Sequence, residues 1–374
     1  MSSRRQFIKT SLITSAGLAA SSQAANLIPK SHKPLKILFM GGTGFLGPHT
    51  VKAAVDAGHK VTLFNRGKTK PVLYPELLAS LPLIKGDRKT QDIEQLKGTQ
   101  WDLVIDTSSY YPRVVNMLLD QVGETIGQYI FISTISVYGD WSKTNMDETT
   151  AVGTIDDPST EDVTGETYGP LKALCEKAAV DRLGDKVTII RPGLIVGPGD
   201  KTDRFTYWPV RIAKGGDVLC PSEGNDFIQI IDVRDLAEWT IHLAHKKVSG
   251  VFNAQSNGSD MTIGELLTNC KMTLNPKANL VWVPTQFLEK HSVTPWGEMP
   301  TWFPPKGNFA GAGTMSSKKA YANGLKQRPL KTIIQDTYDW FTTLPEERQA
   351  QLRAGIKADK EAKVLAAWKK TQTS

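Results

Sequence analysis

The stretch "ILFMGGTGFLG", residues 37–47, decides the fold. A run of apolar residues forms a short buried strand, and glycines spaced Gly42-x-Gly44-x-x-Gly47 follow it at once. A second spacing of the same rule is met by Gly41-x-x-Gly44-x-x-Gly47. Bare backbone serves a purpose here. One glycine allows a tight turn, another lets a pyrophosphate approach the main chain, and Gly47 lets the next helix pack close to the strand. The phosphates then sit on a helix N-terminus, where unpaired N–H groups and the helix dipole favour an anion. Gly41, Thr43, Gly44, Phe45, Leu46 and Gly47 are therefore the candidate cradle for a dinucleotide.

Working outward, "GPHTVKAAVDAGH" reads as a helix closed by Gly58, and "KVTLFN" as a second strand. "WDLVIDT" and "QYIFIST" are further strands, with the helix "PRVVNMLLDQVGE" between them. "TYGPLKALCEKAAVDRLG" is a helix ending at Gly184, and the strand "KVTIIRPG" follows. Short β-rich runs alternating with helices predict an α/β fold. The expected architecture is a Rossmann-type doubly wound parallel sheet over residues 37–191, with a smaller C-terminal substrate-binding region. "FIQIIDV" and "GVFNA" are expected to return to the sheet, which assigns 225–255 to it. Residues 192–224 and 256–343 form the substrate-binding region, where Thr262 and Glu265 fit a capping box. "PWGEMPTWFPPKGNFAGAG" predicts irregular structure, and 344–374 an amphipathic helical tail packed on the body.

At the other end, "SRRQFIK" and "SLITSAGLAA" precede "SSQAAN", with small residues suited to cleavage near Ala24 or Ala25. Residues 1–25 thus read as a signal peptide, and its twin arginines specify the Tat route to the periplasm. The Tat translocase is the implied partner, and residues 26–36 are a linker. The apolar run is shorter than the roughly 18 to 20 residues a membrane span needs, so no stable membrane insertion is expected.

The 374 residues carry a net charge of +7, but its location matters. Residues 1–36 hold six basic residues and no acidic one, and 344–374 hold seven basic against four acidic. The body from 37 to 343 is left at −2, so no nucleic-acid partner is expected. Cys175, Cys220 and Cys270 are an odd number without metal-binding spacing, and the six histidines are scattered, so no metal is expected.

A chain that binds NAD usually offers a carboxylate to the ribose at the end of the second strand. Here stand Asn65, Arg66, Gly67 and Lys68, whose cations favour the 2′-phosphate of NADP over NAD. After the third strand, Asp87 of "GDR" is placed to hydrogen-bond the adenine, with Arg88 beside it. Ser133 and Thr134 close a strand, at the edge where ligands lie in an open α/β sheet. Tyr168 and Lys172, four apart, share one helix face, and Pro170 fits because it falls in the first turn. A phenol next to an ammonium is a base for drawing the proton from a carbinol as hydride leaves. Thr134 would hold the same substrate oxygen.

In this order the pieces "GGTGFLG", "STISVYG", "YGPLK", "RPGLIVGPGD" and "IIDVRDLAEW" resemble the extended short-chain dehydrogenases/reductases, the NAD-dependent epimerase/dehydratase family. The resemblance runs from about 37 to 255. It implies that Thr134, Tyr168 and Lys172 are catalytic, that Gly41, Gly44 and Gly47 hold the pyrophosphate, and that Arg191, Pro192 and Gly193 lie near the nicotinamide. Asp106 and Thr107, with "FNRG", resemble a bacterial branch similar to chloroplast stem-loop-binding proteins, and Asp106 joins the cofactor set. Sugar-nucleotide dehydratases carry Asp-Glu after the threonine; Ile135 and Ser136 stand here, which disfavours dehydration. The 33 residues between Thr134 and Tyr168 include an acidic stretch, "DETTAVGTIDDPSTEDVTGE", expected to loop over the site.

Ser136, Arg204, Tyr207 and Trp208 are the candidate substrate contacts, with Trp296 and Trp302 behind them. The expected function is an exported NAD(P)-dependent oxidoreductase or epimerase acting on a sugar-like hydroxyl or keto group. Outside the cell no free pool restores the cofactor, so it is expected to travel bound and to be recycled by the reaction itself. A homodimer is compatible. The competing reading is a nucleic-acid-binding or cofactor-binding scaffold of the same fold.

Overall fold

The computed structural model describes residues 33–373; the expected signal peptide and most of the expected linker lie outside them. The strands are β1 (Lys36–Met40), β2 (Lys60–Asn65), β3 (Leu83–Lys85), β4 (Trp101–Asp106), β5 (Ile126–Ile132), β6 (Val187–Pro192), β7 (Leu194–Val196), β8 (Asp217–Pro221), β9 (Ile230–Asp232), β10 (Gly250–Ala254) and β11 (Asn279–Val283). The helices are α1 (Leu46–Asp56), α2 (Pro75–Ser80), α3 (Pro112–Val122), α4 (Tyr168–Leu183), α5 (Tyr207–Ala213), α6 (Val233–Lys246), α7 (Ile263–Leu274), α8 (Thr285–Lys290), α9 (Lys318–Ala322), α10 (Leu330–Thr342), α11 (Glu346–Ala350) and α12 (Ala358–Gln372).

Seven strands form one parallel sheet in the order β10-β6-β5-β4-β1-β2-β3. Successive side chains of a strand point to opposite faces, and β1 shows the result. Ile37 and Phe39 enter the core under α1 and α6, whereas Leu38 and Met40 enter the core under α3 and α4. The predicted helix ends hold: Gly58 and Gly184 take positive φ just beyond α1 and α4. The sheet is thus covered on both faces, as a parallel sheet requires.

One strand departs from expectation. "GVFNA" joins the sheet as β10, but "FIQIIDV" forms β9, which pairs with β7 in a separate two-stranded sheet. β10 already occupies the edge beside β6, so β9 takes its ladder bonds from the continuation of the chain beyond Pro192. A second small sheet, β8-β11, lies in the C-terminal region with a core of its own. The capping box at Thr262 and Glu265 is present at the start of α7. The tail is two helices, and it is part of that second core: Val364, Leu365 and Trp368 of α12 pack into it, and Glu361 is buried against Arg211. All three cysteines are buried thiols.

Candidate active site

The strand order reverses between β1 and β4, which leaves a crevice at the carboxyl ends of the strands. A cleft of about 710 Å³ occupies it. Gly41 and Gly42 enter it with φ of 104° and 91°, values that an L side chain rarely adopts. A Cβ on Gly47 would stand 2.6 Å from the Gly42 Cα, so α1 can lie against the turn only without one. A Cβ on Gly44 would meet nothing within 4 Å, because that residue faces the open cleft. Thr43, Phe45 and Leu46 line the cleft with it.

Asn65 braces this turn. Its Nδ2 donates to the Gly41 carbonyl at 2.9 Å, and its Oδ1 accepts from the Gly67 N–H at 2.8 Å. Both ends of the amide are occupied, so Asn65 shapes the cradle. Arg66 is exposed and lies 3.9 Å from Asp87, which answers part of its charge. Arg88 and Asp106 form a buried bidentate pair at 2.6 and 2.7 Å, to which Ser109 and Tyr129 donate as well. Asp106 is fully buried and does not line the cleft, a correction to its place in the cofactor set. Burial alone would raise its pKa, but pairing with Arg88 holds the carboxyl well below the usual range. This pair underlies the cleft, with Arg88 also donating to Ser108 at its edge.

The three candidate catalytic side chains converge. Thr134 follows β5, Tyr168 opens α4, and Lys172 stands one turn further on; all three line the cleft. The Thr134 hydroxyl, which donates to Ser136 Oγ at 3.2 Å, stands beside the Tyr168 phenol and acts to lower its pKa. Gly169 makes this approach possible, since a Cβ there would collide with the Ser136 carbonyl. That role was missed in the sequence, although a glycine directly after the tyrosine was its signal.

Lys172 is 3% exposed, and its Nζ donates to the carbonyls of Ser109 at 2.9 Å and Ile132 at 2.7 Å. Burial pulls its pKa down to about 8. Burial likewise raises the pKa of Tyr168, against the Thr134 hydroxyl and the positive charge of Arg204. In the protein alone, then, the cation acting on the phenol is Arg204, while Lys172 is held by backbone oxygens. Ser133 Oγ is buried beside them with no hydrogen-bond partner.

Ser136, Pro192, Gly193, Arg204 and Trp296 line the substrate end. Arg191 points away from it and pairs with Glu176 at 2.6 Å. Tyr207 and Trp208 do not reach the cleft: both are buried in the C-terminal core, and Trp208 Nε1 donates to the Pro300 carbonyl. α5 begins at Tyr207, and this first turn presents its rings to the C-terminal core. Trp302 is buried too, bonded to Asp226. No residue of the acidic stretch 147–166 lines the cleft. Glu161 is drawn to Arg113, and Glu148 accepts from the Asn253 N–H, so the segment is tied down beside the site.

The profile of the NAD dependent epimerase/dehydratase family matches residues 37–255, the stretch that carries the glycine turn, Thr134, Tyr168 and Lys172. The chain belongs to this family. A chloroplast stem-loop binding protein of 41 kDa from Arabidopsis thaliana is 28% identical over 58% of this chain, and the chain spans 58% of that relative's length. An epimerase family protein of Bos taurus is 23% identical over 62% of this chain and 78% of its own length.

Among solved structures, a UDP-glucuronic acid 4-epimerase of Bacillus cereus in complex with NAD has a TM-score of 0.60 at 17% identity, covering 83% of this chain and 97% of that one. The UDP-Glc/GlcNAc 4-epimerase of Campylobacter jejuni has a TM-score of 0.61 at 16% identity, covering 83% and 99%. These likenesses establish the Rossmann-type fold.

The family is NAD-dependent, and the residues present fit the cofactor. An open face at Gly44, the positive φ at Gly41 and Gly42, and the unpartnered Ser133 hydroxyl leave a cradle with donors to spare.

Proposed function

We propose that the protein is an NAD(P)-dependent oxidoreductase or epimerase acting on a hydroxyl or keto carbon of a sugar-like small molecule. The observation that carries this is the convergence of Thr134, Tyr168 and Lys172 in the same cleft as the glycine turn. A bound dinucleotide supplies a hydride acceptor or donor. The chain's own residues handle the proton. Tyr168 takes it from the carbinol oxygen or returns it to a carbonyl oxygen, and Thr134 holds that same oxygen in line. Lys172 keeps one N–H beyond the two it gives to Ser109 and Ile132, and this is available to a ligand hydroxyl.

With the phenol pKa raised, Tyr168 rests protonated at neutral pH and is poised to donate. Arg66 and Lys68 face the adenosine end and support a 2′-phosphate, but Asp87 already answers part of the Arg66 charge. NAD is therefore the working assignment, and a side-by-side titration with NADP tests it.

The reading extends to the N-terminus. Twin arginines before an apolar run address the folded protein to the Tat route, so the dinucleotide leaves the cell bound. Chemistry that restores its own cofactor, such as epimerisation through a keto intermediate, continues there without a free pool. A nucleic-acid role, carried in one relative's name, is opposed by the body's charge of −2.

Mass spectrometry of small molecules released from denatured protein is expected to find a nicotinamide dinucleotide. Tyr168→Phe should then abolish the sugar-dependent change in its absorbance or, for an epimerisation, the interconversion of the sugar. Protein purified empty and with little affinity for added NAD or NADP overturns the proposal.

A further inference from the structure

Arg204 is the one half-buried arginine among the described residues that lacks an ion pair. Arg66, Arg88, Arg113, Arg182, Arg191, Arg211, Arg234, Arg328 and Arg348 each reach a carboxylate within 4 Å, and Arg353 is exposed. Arg204 has only Thr202, to whose hydroxyl its Nε donates at 3.1 Å. Its guanidinium lies 5.2 Å from the centre of the Trp296 ring, and neither Nη group has an acceptor among the described residues.

Of the neighbouring carboxylates, Asp200 lines the same cleft and acts on Arg204 through its charge, but neither it nor Asp203 reaches the guanidinium within 4 Å. Asp203 accepts from Arg348 and from the Arg353 N–H, and Asp200 accepts from the N–H and hydroxyl of Thr202. A desolvated cation in the substrate end of a cleft, close enough to act on the catalytic phenol, is a receptor for an anion.

A second polar group waits nearby. A small annexe of about 40 Å³ opens beside Trp296 and Leu194, walls it shares with the main cleft, and is lined by Trp141, Phe303 and Gln255. The amide of Gln229 is oriented by donating to the Ser256 and Met315 carbonyls, so its oxygen is the acceptor for Gln255 Nε2 at 3.0 Å. This forces Gln255 Oε1 the other way, where it is buried and accepts from nothing among the described residues. It lies against Gly193, where any Cβ would collide with it. An orphaned acceptor in an aromatic pocket calls for a donor such as a hydroxyl.

We propose that this end of the cleft takes a carboxylate-bearing polyhydroxy substrate, its carboxylate on Arg204 and a hydroxyl on Gln255. The carboxylate is favoured over a phosphate dianion because Asp200, which lines the same end and acts on Arg204, opposes a second negative charge. The inference rests on the proposed function but is tested by binding, which needs no turnover. The full-length protein, saturated with NAD, is titrated calorimetrically with glucuronate, galacturonate and gluconate, with the neutral glucose, galactose and glucitol, and with glucose 6-phosphate.

Acids should bind about 10- to 100-fold more tightly than their neutral partners, the range expected of a charge-assisted contact. Arg204→Gln should erase that difference, and Arg204→Lys should restore part of it. Gln255→Met should weaken acid and neutral sugars alike, about five- to tenfold. Equal binding of acids and neutral sugars, no binding by any acid, a preference that survives Arg204→Gln, or tighter binding of glucose 6-phosphate overturns the proposal. Acids that bind but neither alter the 340 nm absorbance of the cofactor nor invert at any carbinol carbon would instead sink the redox reading and leave the anion site standing.

Discussion

At the level of single residues, Lys172 has the sharpest consequence. Its ordinary pKa near 10.4 is pulled down to about 8 by burial. Two signs follow. Between those values the unfolded chain holds a proton that the folded one has released, so stability rises with pH across that window. Over the same range the ammonium's remaining N–H loses its charge, so dinucleotide affinity should fall as pH climbs through about 8. Fluorescence titrations from acid to alkaline pH are expected to show this decline, and Lys172→Met to flatten it while weakening binding at every pH.

Tyr168→Phe should lower hydride transfer about 10²- to 10⁴-fold, the usual worth of a positioned acid or base. Dinucleotide affinity should hardly change, because the substitution removes one hydroxyl and leaves the glycine turn and Lys172 in place. The spacing on one helix face indicated Tyr168 and Lys172 only together with the glycine turn upstream and, between turn and helix, the strand-end Ser133 and Thr134. The partner of each was not legible: whether a buried cation meets a phenol or a carbonyl depends on what the fold carries past it. Asp106, Tyr207 and Trp208 looked suitable by residue type, yet strand and helix phase turned them away from the cleft.

At the level of elements, the glycine turn separates folding from binding. Gly47→Ala forces a Cβ onto the Gly42 backbone and should destabilise the protein by about 1–3 kcal/mol, as overpacking does. Gly44→Val meets open space, so thermal unfolding should stay as in the parent while dinucleotide affinity falls by roughly an order of magnitude or more. A pair of melting curves and a pair of titrations check both. Equal effects on stability would contradict the geometry.

The order of strands and helices through β6 was readable because each run has the length and period of its element. β9 was not, because "FIQIIDV" has the composition of any buried strand and nothing in it names its neighbour. The break between α11 and α12 is marked by Gly355, whose φ of 99° ends any continuous helix across the tail.

Across the whole molecule, the C-terminal helices tie the substrate end to the second core. Glu361 takes the Arg211 guanidinium at 2.7 Å and the Leu219 N–H at 3.0 Å. Glu361→Ala strands both donors and should destabilise the protein by about 3–5 kcal/mol, as removal of one partner of a buried pair does. Denaturant unfolding measures this, and a change below about 1 kcal/mol would place the pair among surface bridges. That the tail packs on the body was legible in its apolar period. That it grips the loop carrying Arg204 was not, since Arg348 and Asp203 are 145 residues apart in the chain.

This grip has a temporal meaning. The cradle for a dinucleotide is complete once α6 has emerged to cover α1, but Asp203 finds Arg348 and the Arg353 N–H only about a hundred residues later. A nascent chain can therefore close its dinucleotide cradle before the loop that carries Arg204 is locked.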